Sequence, residues 1–429
     1  MGKFNLYCLP EQINEMDYIV ATYYCEFPGD IDIVAKAASF AVGQTVGTWV
    51  PVPGITEEMR ERNMGRVVNI YDTPPTELTS QLDEGKRAYL LEIAFPTINF
   101  GADFPMMLTT LLGNDASTST QAKLLDVRMP RSFAQSFNGP NFGIQGTRDA
   151  VGVQDRPLLM TMIKPCTGIT PKVGAELFYN AAIGGIDLVK DDELLGDTEF
   201  SPVVDRVIEY NKAADRIYEE TGFRPVYVVN ITGDAVHLVD RAKRVIDAGA
   251  KAVMASYAAV GYSAFHGLAK ELKKLNVPLM GHYASSGMYF EGPLSGLGSH
   301  LAVGRFPRLA GADFIMTNTP YGGYPLQYEK YIKAVQHLTL PFYDIKPTMP
   351  IMGGGVHPGL TEQFLKDCGE DIILAAGGAI HGHPMGPAAG AKAMRQSIDA
   401  AMAGIPLDEA AKQHKELAKS LELWGYVKA

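Results

Sequence analysis

The sequence predicts an α/β protein in two parts: an N-terminal α+β domain of ferredoxin-like type over residues 1–140, then a closed (β/α)8 TIM barrel over 141–429. Three observations predict it. From residue 157 onward a strand, loop and helix pattern recurs, with strand starts mostly about 25 to 40 residues apart, the spacing that β/α units require. The polar residues of this half gather where the predicted strands end. Residues before 140 do not share that period, and the stretch from Arg128 to Arg156, with Asn138-Gly139-Pro140-Asn141 inside it, has the composition of a boundary.

In the N-terminal part, apolar patterning predicts strands over 18–27, 66–71 and 87–95, a helix over 30–40 capped by Asp30, and a helix over 104–112. One sheet with helices on one side follows. In the C-terminal part, apolar runs predict eight buried strands, over 158–164, 186–190, 226–231, 252–256, 277–282, 313–317, 350–353 and 372–376. Helical patterns, for instance over 204–220, 236–248 and 327–338, separate them. Eight such units favour a closed barrel, because an open doubly wound sheet has fewer strands and a phosphate loop after its first one.

Composition narrows the function. The chain is 46% hydrophobic with a net charge of -10, and its pI is near 5.4. That balance argues against nucleic acid or an anionic membrane as partner, since both need a basic face. The longest mostly apolar stretches, such as 158–163, are too short to span a bilayer, and Met1-Gly2-Lys3-Phe4-Asn5 lacks a signal-peptide core. The expected location is cytoplasmic. Cys8, Cys25, Cys166 and Cys368 have no CxxC spacing and read as reduced thiols.

The chemistry concentrates in Gly184-Gly185-Ile186-Asp187-Leu188-Val189-Lys190-Asp191-Asp192-Glu193, an apolar strand running into one lysine and three carboxylates. Strand alternation places Lys190 and Asp192 on one face, and Glu193 joins them only where the backbone leaves regular geometry. Two carboxylates suit a hard cation such as Mg2+, which an ammonium group would repel. The exception is a neutral lysine that has added CO2: burial lowers a lysine pKa, and the free amine can then form a carbamate, an anion with oxygen ligands. Taken alone, the tetrapeptide favours a plain salt bridge at a strand end, and the rest of the chain reverses that.

The other strand ends add to it. Met162-Ile163-Lys164-Pro165 closes the first barrel strand with an amine suited to acid–base work, or to snorkelling. Gly353, Gly354 and Gly355 end strand seven, and Gly377 with Gly378 ends strand eight, where barrels often build a phosphate site from backbone N–H groups. His282 ends strand five, either to orient a substrate hydroxyl or as a satisfied core histidine. His381-Gly382-His383 lies past strand eight in a Gly/Pro-rich turn and reads as structural.

Together with Gly47-Thr48-Trp49, Gly113-Asn114 and Gly377-Gly378 before Gly382-His383-Pro384, these motifs resemble the large subunit of ribulose-bisphosphate carboxylase and its non-carboxylating relatives, the RuBisCO-like proteins. The resemblance spans nearly the whole chain. It implies that Lys190 is carbamylated, that Lys190, Asp192 and Glu193 hold Mg2+, and that Lys164 and His282 act on the substrate. It further implies one phosphate pocket from Thr48, Trp49, Gly355, Gly377 and Gly378, with Gly354 in the same turn. A homodimer is implied too, in which Asn114 of one subunit completes the site of the other.

The departures are equally specific. The carboxylase carries a mobile lysine in the loop after strand six, and Thr317-Asn318-Thr319-Pro320-Tyr321-Gly322-Gly323-Tyr324 contains none. By ungapped counting, Gly43 stands at a family glutamate and Cys166 at the second lysine of its Lys-Pro-Lys motif. Tyr283, Met316 and Gly353 stand at the arginine, histidine and serine that grip a second phosphate. Without the arginine fork a dianion is poorly paired. The expectation is an enzyme that enolises a phosphorylated ketose or oxo sugar acid, a monophosphate, by isomerase or enolase chemistry without CO2 fixation. Decarboxylation of an oxo sugar acid phosphate through the same enediolate is the alternative; a non-catalytic sugar-phosphate binder and a true carboxylase are the weaker rivals.

Overall fold

The computed structural model describes residues 6–48, 52–78 and 85–427. The chain divides into two compact units, one running to Phe137 with Ser286–Ala302 and Tyr343–Ile345, the other comprising Asn138–Ser285, Val303–Phe342 and Lys346–Ala429.

In the first unit, four strands form one sheet: β1 (Tyr18–Pro28), β2 (Arg66–Thr73), β3 (Lys86–Pro96) and β4 (Lys123–Arg128), in the order β2-β3-β1-β4. β1 and β3 pair antiparallel without a break from Tyr18↔Pro96 to Pro28↔Lys86. Two helices follow the predicted patterns, α1 (Ile33–Gly43) and α2 (Phe104–Leu112). The start of α1 is corrected: Asp32, not Asp30, caps it, accepting the Ala35 N–H at 2.9 Å, while Asp30 lies in the preceding turn. β4 lies outside the predicted elements. As an edge strand it fully buries only Leu124 and Val127, too little alternation to stand out from its charged neighbours.

In the second unit the eight predicted strands are all present, with ends shifted by no more than two residues. They are β5 (Leu158–Met162), β6 (Leu188–Lys190), β7 (Val226–Asn230), β8 (Ala252–Ser256), β9 (Leu279–His282), β10 (Phe314–Asn318), β11 (Met349–Gly353) and β12 (Ile373–Ala375). Every neighbouring pair is parallel, and the sheet closes between β9 and β10. Among the helices that follow the strands, the outer ones in strand order are α3 (Pro171–Ala182), α4 (Val203–Thr221), α5 (Leu238–Asp247), α6 (Tyr262–Leu275), α7 (Phe306–Ala310), α8 (Tyr328–Thr339), α9 (Thr361–Cys368) and α10 (Pro387–Met402). Alternate strand residues such as Leu158, Met160, Leu188, Val228, Met254 and Ile351 fill the barrel interior, as a closed eight-stranded barrel requires. Among the described residues, no helix is long and apolar enough to cross a membrane.

The approach to β6 explains two glycines and an aspartate. A Cβ on Gly184 would stand 2.3 Å from the Ala388 carbonyl oxygen of α10, and Gly185 has φ +103°, so helix and turn meet backbone to backbone. Asp187 then sits at the barrel's N-terminal end, 1% exposed. It accepts the Leu159 N–H at 2.7 Å, both arms of Arg156 at 2.7 and 2.9 Å, and Arg395 at 2.9 Å. Removing this carboxylate strands two partly buried guanidinium groups. Asp187→Ala is expected to cost roughly 3–5 kcal/mol, read as a lowered unfolding midpoint; a midpoint equal to that of the unaltered chain would reject this role.

Candidate active site

At the opposite end of the same strand, Lys190 is wholly buried, and its Nζ donates to the Asp191 carbonyl at 2.9 Å and to Glu193 Oε2 at 3.3 Å. The chain then leaves strand geometry and turns at 193–194, the irregularity that Glu193 requires to face Lys190. Lys164, just past the end of β5, donates to Asp192 Oδ2 at 2.6 Å and to Cys166 Sγ at 2.9 Å. Asp192 Oδ1 accepts the Leu194 N–H at 3.2 Å. Lys164, Lys190, Asp192, Glu193 and His282 therefore converge from the ends of three strands. Two ammonium groups face two carboxylates.

Electrostatics at the mouth follow from this pairing. Burial pulls the Lys164 pKa down, but its bonds to Asp192 and Cys166 outweigh it and hold it above the ordinary lysine value. Burial pushes Glu193 up, and Lys190 ahead of Lys164 overcomes that, leaving its carboxyl below the usual range. His282 is 4% exposed, and burial aided by Lys190 holds it far below the ordinary histidine value, so it is neutral. Its Nδ1 accepts the Ala284 N–H at 3.1 Å, which places the ring proton on Nε2, 3.3 Å from Glu193 Oε2.

The glycine turns have their own geometry. A Cβ on Gly377 would stand 2.4 Å from Met162 Sδ and 3.5 Å from Lys164 Cε, so this backbone runs beside the lysine. A Cβ on Gly322 would stand 1.5 Å from the Gly354 carbonyl oxygen, and one on Gly355 2.9 Å from Gly322 Cα, so the loop after β10 lies directly against the turn after β11. Met316 Sδ lies 2.2 Å from where a Gly353 Cβ would be. Burial ahead of Glu193 and Tyr324 pushes the Tyr283 phenol up to about 12. His383 is structural, its Nε2 at 3.1 Å from the Glu416 carbonyl and its Nδ1 accepting the Met385 N–H at 3.1 Å.

Thr48 and Asn114 belong to the first unit, with Asn114 exposed at the start of the Asp115–Ser119 turn; Trp49 lies outside the described residues. A Cβ on Gly43 would stand 2.0 Å from Asp115 Oδ2. A carboxylate from another element thus occupies the side-chain space above Gly43, and nothing in the spacing of the sequence signals it. Two further groups were missed as hubs, Asp191 and Asn230. Asp191 points away from Lys190 and accepts from Tyr227, Arg206 and the Asn230 N–H; alternation along β6 was the available signal for it.

A (β/α)8 barrel with a lysine and paired carboxylates at the mouth of its second strand, preceded in the chain by an antiparallel sheet, defines the architectural class. Residues 143–424 match the catalytic domain, and residues 7–133 the N-terminal domain, of the ribulose bisphosphate carboxylase large chain. The chain belongs to this family. It is 42% identical to a ribulose bisphosphate carboxylase-like protein of Archaeoglobus fulgidus, over 97% of this chain and 95% of that one. It is 38% identical to a 2,3-diketo-5-methylthiopentyl-1-phosphate enolase of Geobacillus thermodenitrificans, over 96% of this chain and 99% of that one. The solved rubisco-like protein of Alicyclobacillus acidocaldarius superposes with a TM-score of 0.88 at 36% identity, covering 95% of this chain and 100% of that one.

The neutral His282 sets a pH dependence. Unfolded, the ring titrates near 6.5, whereas folded it stays neutral to lower pH. Below 6.5 the unfolded state therefore binds the extra proton, and stability falls as pH drops, by up to about 1.4 kcal/mol per pH unit from this group. His282→Gln is expected to lose less stability than the unaltered chain between about pH 7 and about pH 5. Equal losses in denaturant titrations at the two pH values would count against a neutral buried imidazole.

Proposed function

We propose that the chain is an enzyme that enolises a phosphorylated ketose or oxo sugar acid bearing one phosphate, using Mg2+ and a carbamate on Lys190, without fixing CO2. The observation that carries this reading is the convergence of Lys190, Asp192 and Glu193 with Lys164 at one end of a closed barrel. The donor set fits the ion. Asp192, Glu193 and a Lys190 carbamate offer the oxygen ligands a hard divalent cation takes. Charge supports the same pairing: converting the Lys190 ammonium to a carbamate leaves one ammonium against three anions, a double negative charge that a divalent cation neutralises. Bound there, Mg2+ would polarise the substrate carbonyl and stabilise the charge that develops as the adjacent proton leaves.

The chain's own residues supply the rest. Asp192 holds Lys164 as an ammonium; released from that carboxylate, the amine keeps only its bond to Cys166 against the burial that lowers its pKa, which brings it nearer to accepting the proton. The Lys190 carbamate is the other candidate base. The backbone N–H groups of Gly354, Gly355, Gly377 and Gly378 are assigned to the phosphate, beside Lys164 on the Gly377 side. His282, with its proton on Nε2, is placed to donate to an oxygen at the Glu193 edge of the mouth.

A single phosphate is favoured because the residues at the second phosphate position bring no cation to it. Met316 occupies the space a side chain at 353 would need, and Tyr283 brings no positive charge. The Geobacillus relative is named for a substrate with one phosphate. The same family relation supports a homodimer with Asn114 contributed across the interface, which sedimentation would report.

The test is proton exchange in D2O, followed by NMR at the carbon beside the carbonyl across ketose monophosphates and oxo sugar acid phosphates. Exchange is expected only after incubation with Mg2+ and bicarbonate, and full exchange in EDTA and CO2-free buffer would defeat the metal-carbamate reading. In calorimetry a monophosphate that exchanges is expected to bind more tightly than ribulose bisphosphate; the reverse order would reject the single-phosphate reading.

A further inference from the structure

Asp192 and Glu193 stand on a segment with little reason of its own to be rigid. Residues 191–197 form neither helix nor strand, and Leu194 is 68% exposed. The one fully buried apolar anchor in this stretch is Leu195, 1% exposed. What holds the segment is a set of hydrogen bonds from two buried side chains.

Asn230, the last residue of β7, is 0% exposed. Its Nδ2 donates to the carbonyl oxygens of Asp192 at 3.4 Å, Glu193 at 3.2 Å and Leu195 at 3.1 Å. Its Oδ1 accepts the Thr232 N–H at 3.0 Å and the Thr232 hydroxyl at 2.6 Å, which fixes which way the amide faces. Arg206, on α4 and also 0% exposed, donates to the carbonyls of Gly196, at 2.9 Å, and Ser201. Its charge is met by Asp191 at 3.3 Å, which further accepts from Tyr227 Oη at 2.8 Å and from the Asn230 N–H at 2.9 Å. Of the carbonyls from 192 to 196, all but that of Leu194 are gripped by one of these two residues.

Such a device is a poor way to gain stability alone. A fully buried ion pair carries a desolvation cost that its attraction barely offsets, and apolar replacements of similar volume are often as stable or more so. It is a good way to fix the direction of a backbone. The carboxylates on either side of a gripped carbonyl inherit its orientation, and outer partners of this kind typically change metal affinity about 10- to 100-fold.

We infer that Asn230 and the Asp191–Arg206 pair are positioning residues that aim Asp192 and Glu193 and so set the cation affinity of the barrel mouth. The inference rests on the metal reading of that mouth given above. Asn230 and Arg206 act through the backbone carbonyls of 192–201, and the Asp191 carboxylate acts through Arg206 and the Asn230 N–H.

The test uses the full chain with Mg2+ and 13C-labelled bicarbonate, reading Mg2+ affinity by calorimetry, the lysine carbamate by its 13C resonance and the fold by thermal unfolding. Asn230→Ala is expected to weaken Mg2+ binding about 10- to 100-fold and to reduce the carbamate signal at fixed Mg2+. Arg206→Lys, which keeps a charge opposite Asp191 but loses the fork, is expected to do the same to a smaller extent and serves if Asn230→Ala does not fold. Asp187→Asn is the control, loosening the far end of the same strand; its Mg2+ affinity is expected within about twofold of the unaltered chain, because separated sites act independently. Unchanged affinity in the folded variants would overturn the inference, as would a loss shared equally by Asp187→Asn. Should the unaltered chain bind no Mg2+ and show no carbamate, the metal reading fails and this inference with it, an outcome distinct from one in which the unaltered chain binds and the variants bind equally well.

Discussion

An ammonium group with no solvent exposure, Lys190, governs the C-terminal end of this barrel. Burying a charge is tolerable only where it is paired and hydrogen-bonded, and the surrounding arrangement answers that demand. Glu193 is turned back to meet it, Lys164 balances Asp192, and His282 stays neutral so that no third positive charge enters. A cluster balanced in this way is sensitive to a change at one member. Under the proposed carbamylation the sign at Lys190 would reverse, removing a cation and adding an anion, and a divalent ion would restore the balance.

Strand β6 shows how little chain is needed to join stability to chemistry. Asp187 at its N-terminal end ties two arginines from different parts of the barrel to the Leu159 backbone. Lys190, at its C-terminal end, belongs to the mouth. Between them alternation sends Leu188 into the core and Asp191 outward toward α4. The barrel layout separates these duties by direction along the strand, so that a change at Asp187 loosens the frame without touching the carboxylates at the other end.

Much of this was legible in the sequence, and the reasons differ from element to element. The eight barrel strands were visible because parallel strands buried on both faces are apolar runs, and Lys164, Lys190, Asp192, Glu193 and His282 because polar residues at the ends of such runs have few structural uses. β4 was invisible because an edge strand needs only two buried residues. The return of Ser286–Ala302 to the first unit was invisible too, since an excursion between β9 and α7 has no period to read. Asn230 could be seen as polar at a strand end, but its grip on three carbonyls depends on the path of an irregular segment. The same holds for Asp115, whose carboxylate fills the space above Gly43 from a turn distant in sequence.

The departures from the carboxylase pattern are coupled in space, which scattered drift would not produce. Met316 and Gly353 are neighbours across β10 and β11, and the volume of one is the absence of the other: a serine at 353 would collide with the methionine sulfur. The loop after β10, which has no lysine, is tied down instead. Tyr321 donates to Asp367 at 2.7 Å and Tyr328 to the same carboxylate at 3.1 Å, while Gly322 packs on the Gly354 backbone. Met316, Gly353 and the tethered loop all lie on the β10–β11 side of the mouth. On the β5, β6 and β12 side, Lys164, Lys190, Asp192, Glu193 and Gly377 keep the family pattern. The proposed enolisation would draw on that second set. The rest of the substrate would meet the first set, so under the proposed function a barrel that preserves one set and rebuilds the other would keep the shared first step while changing what it accepts.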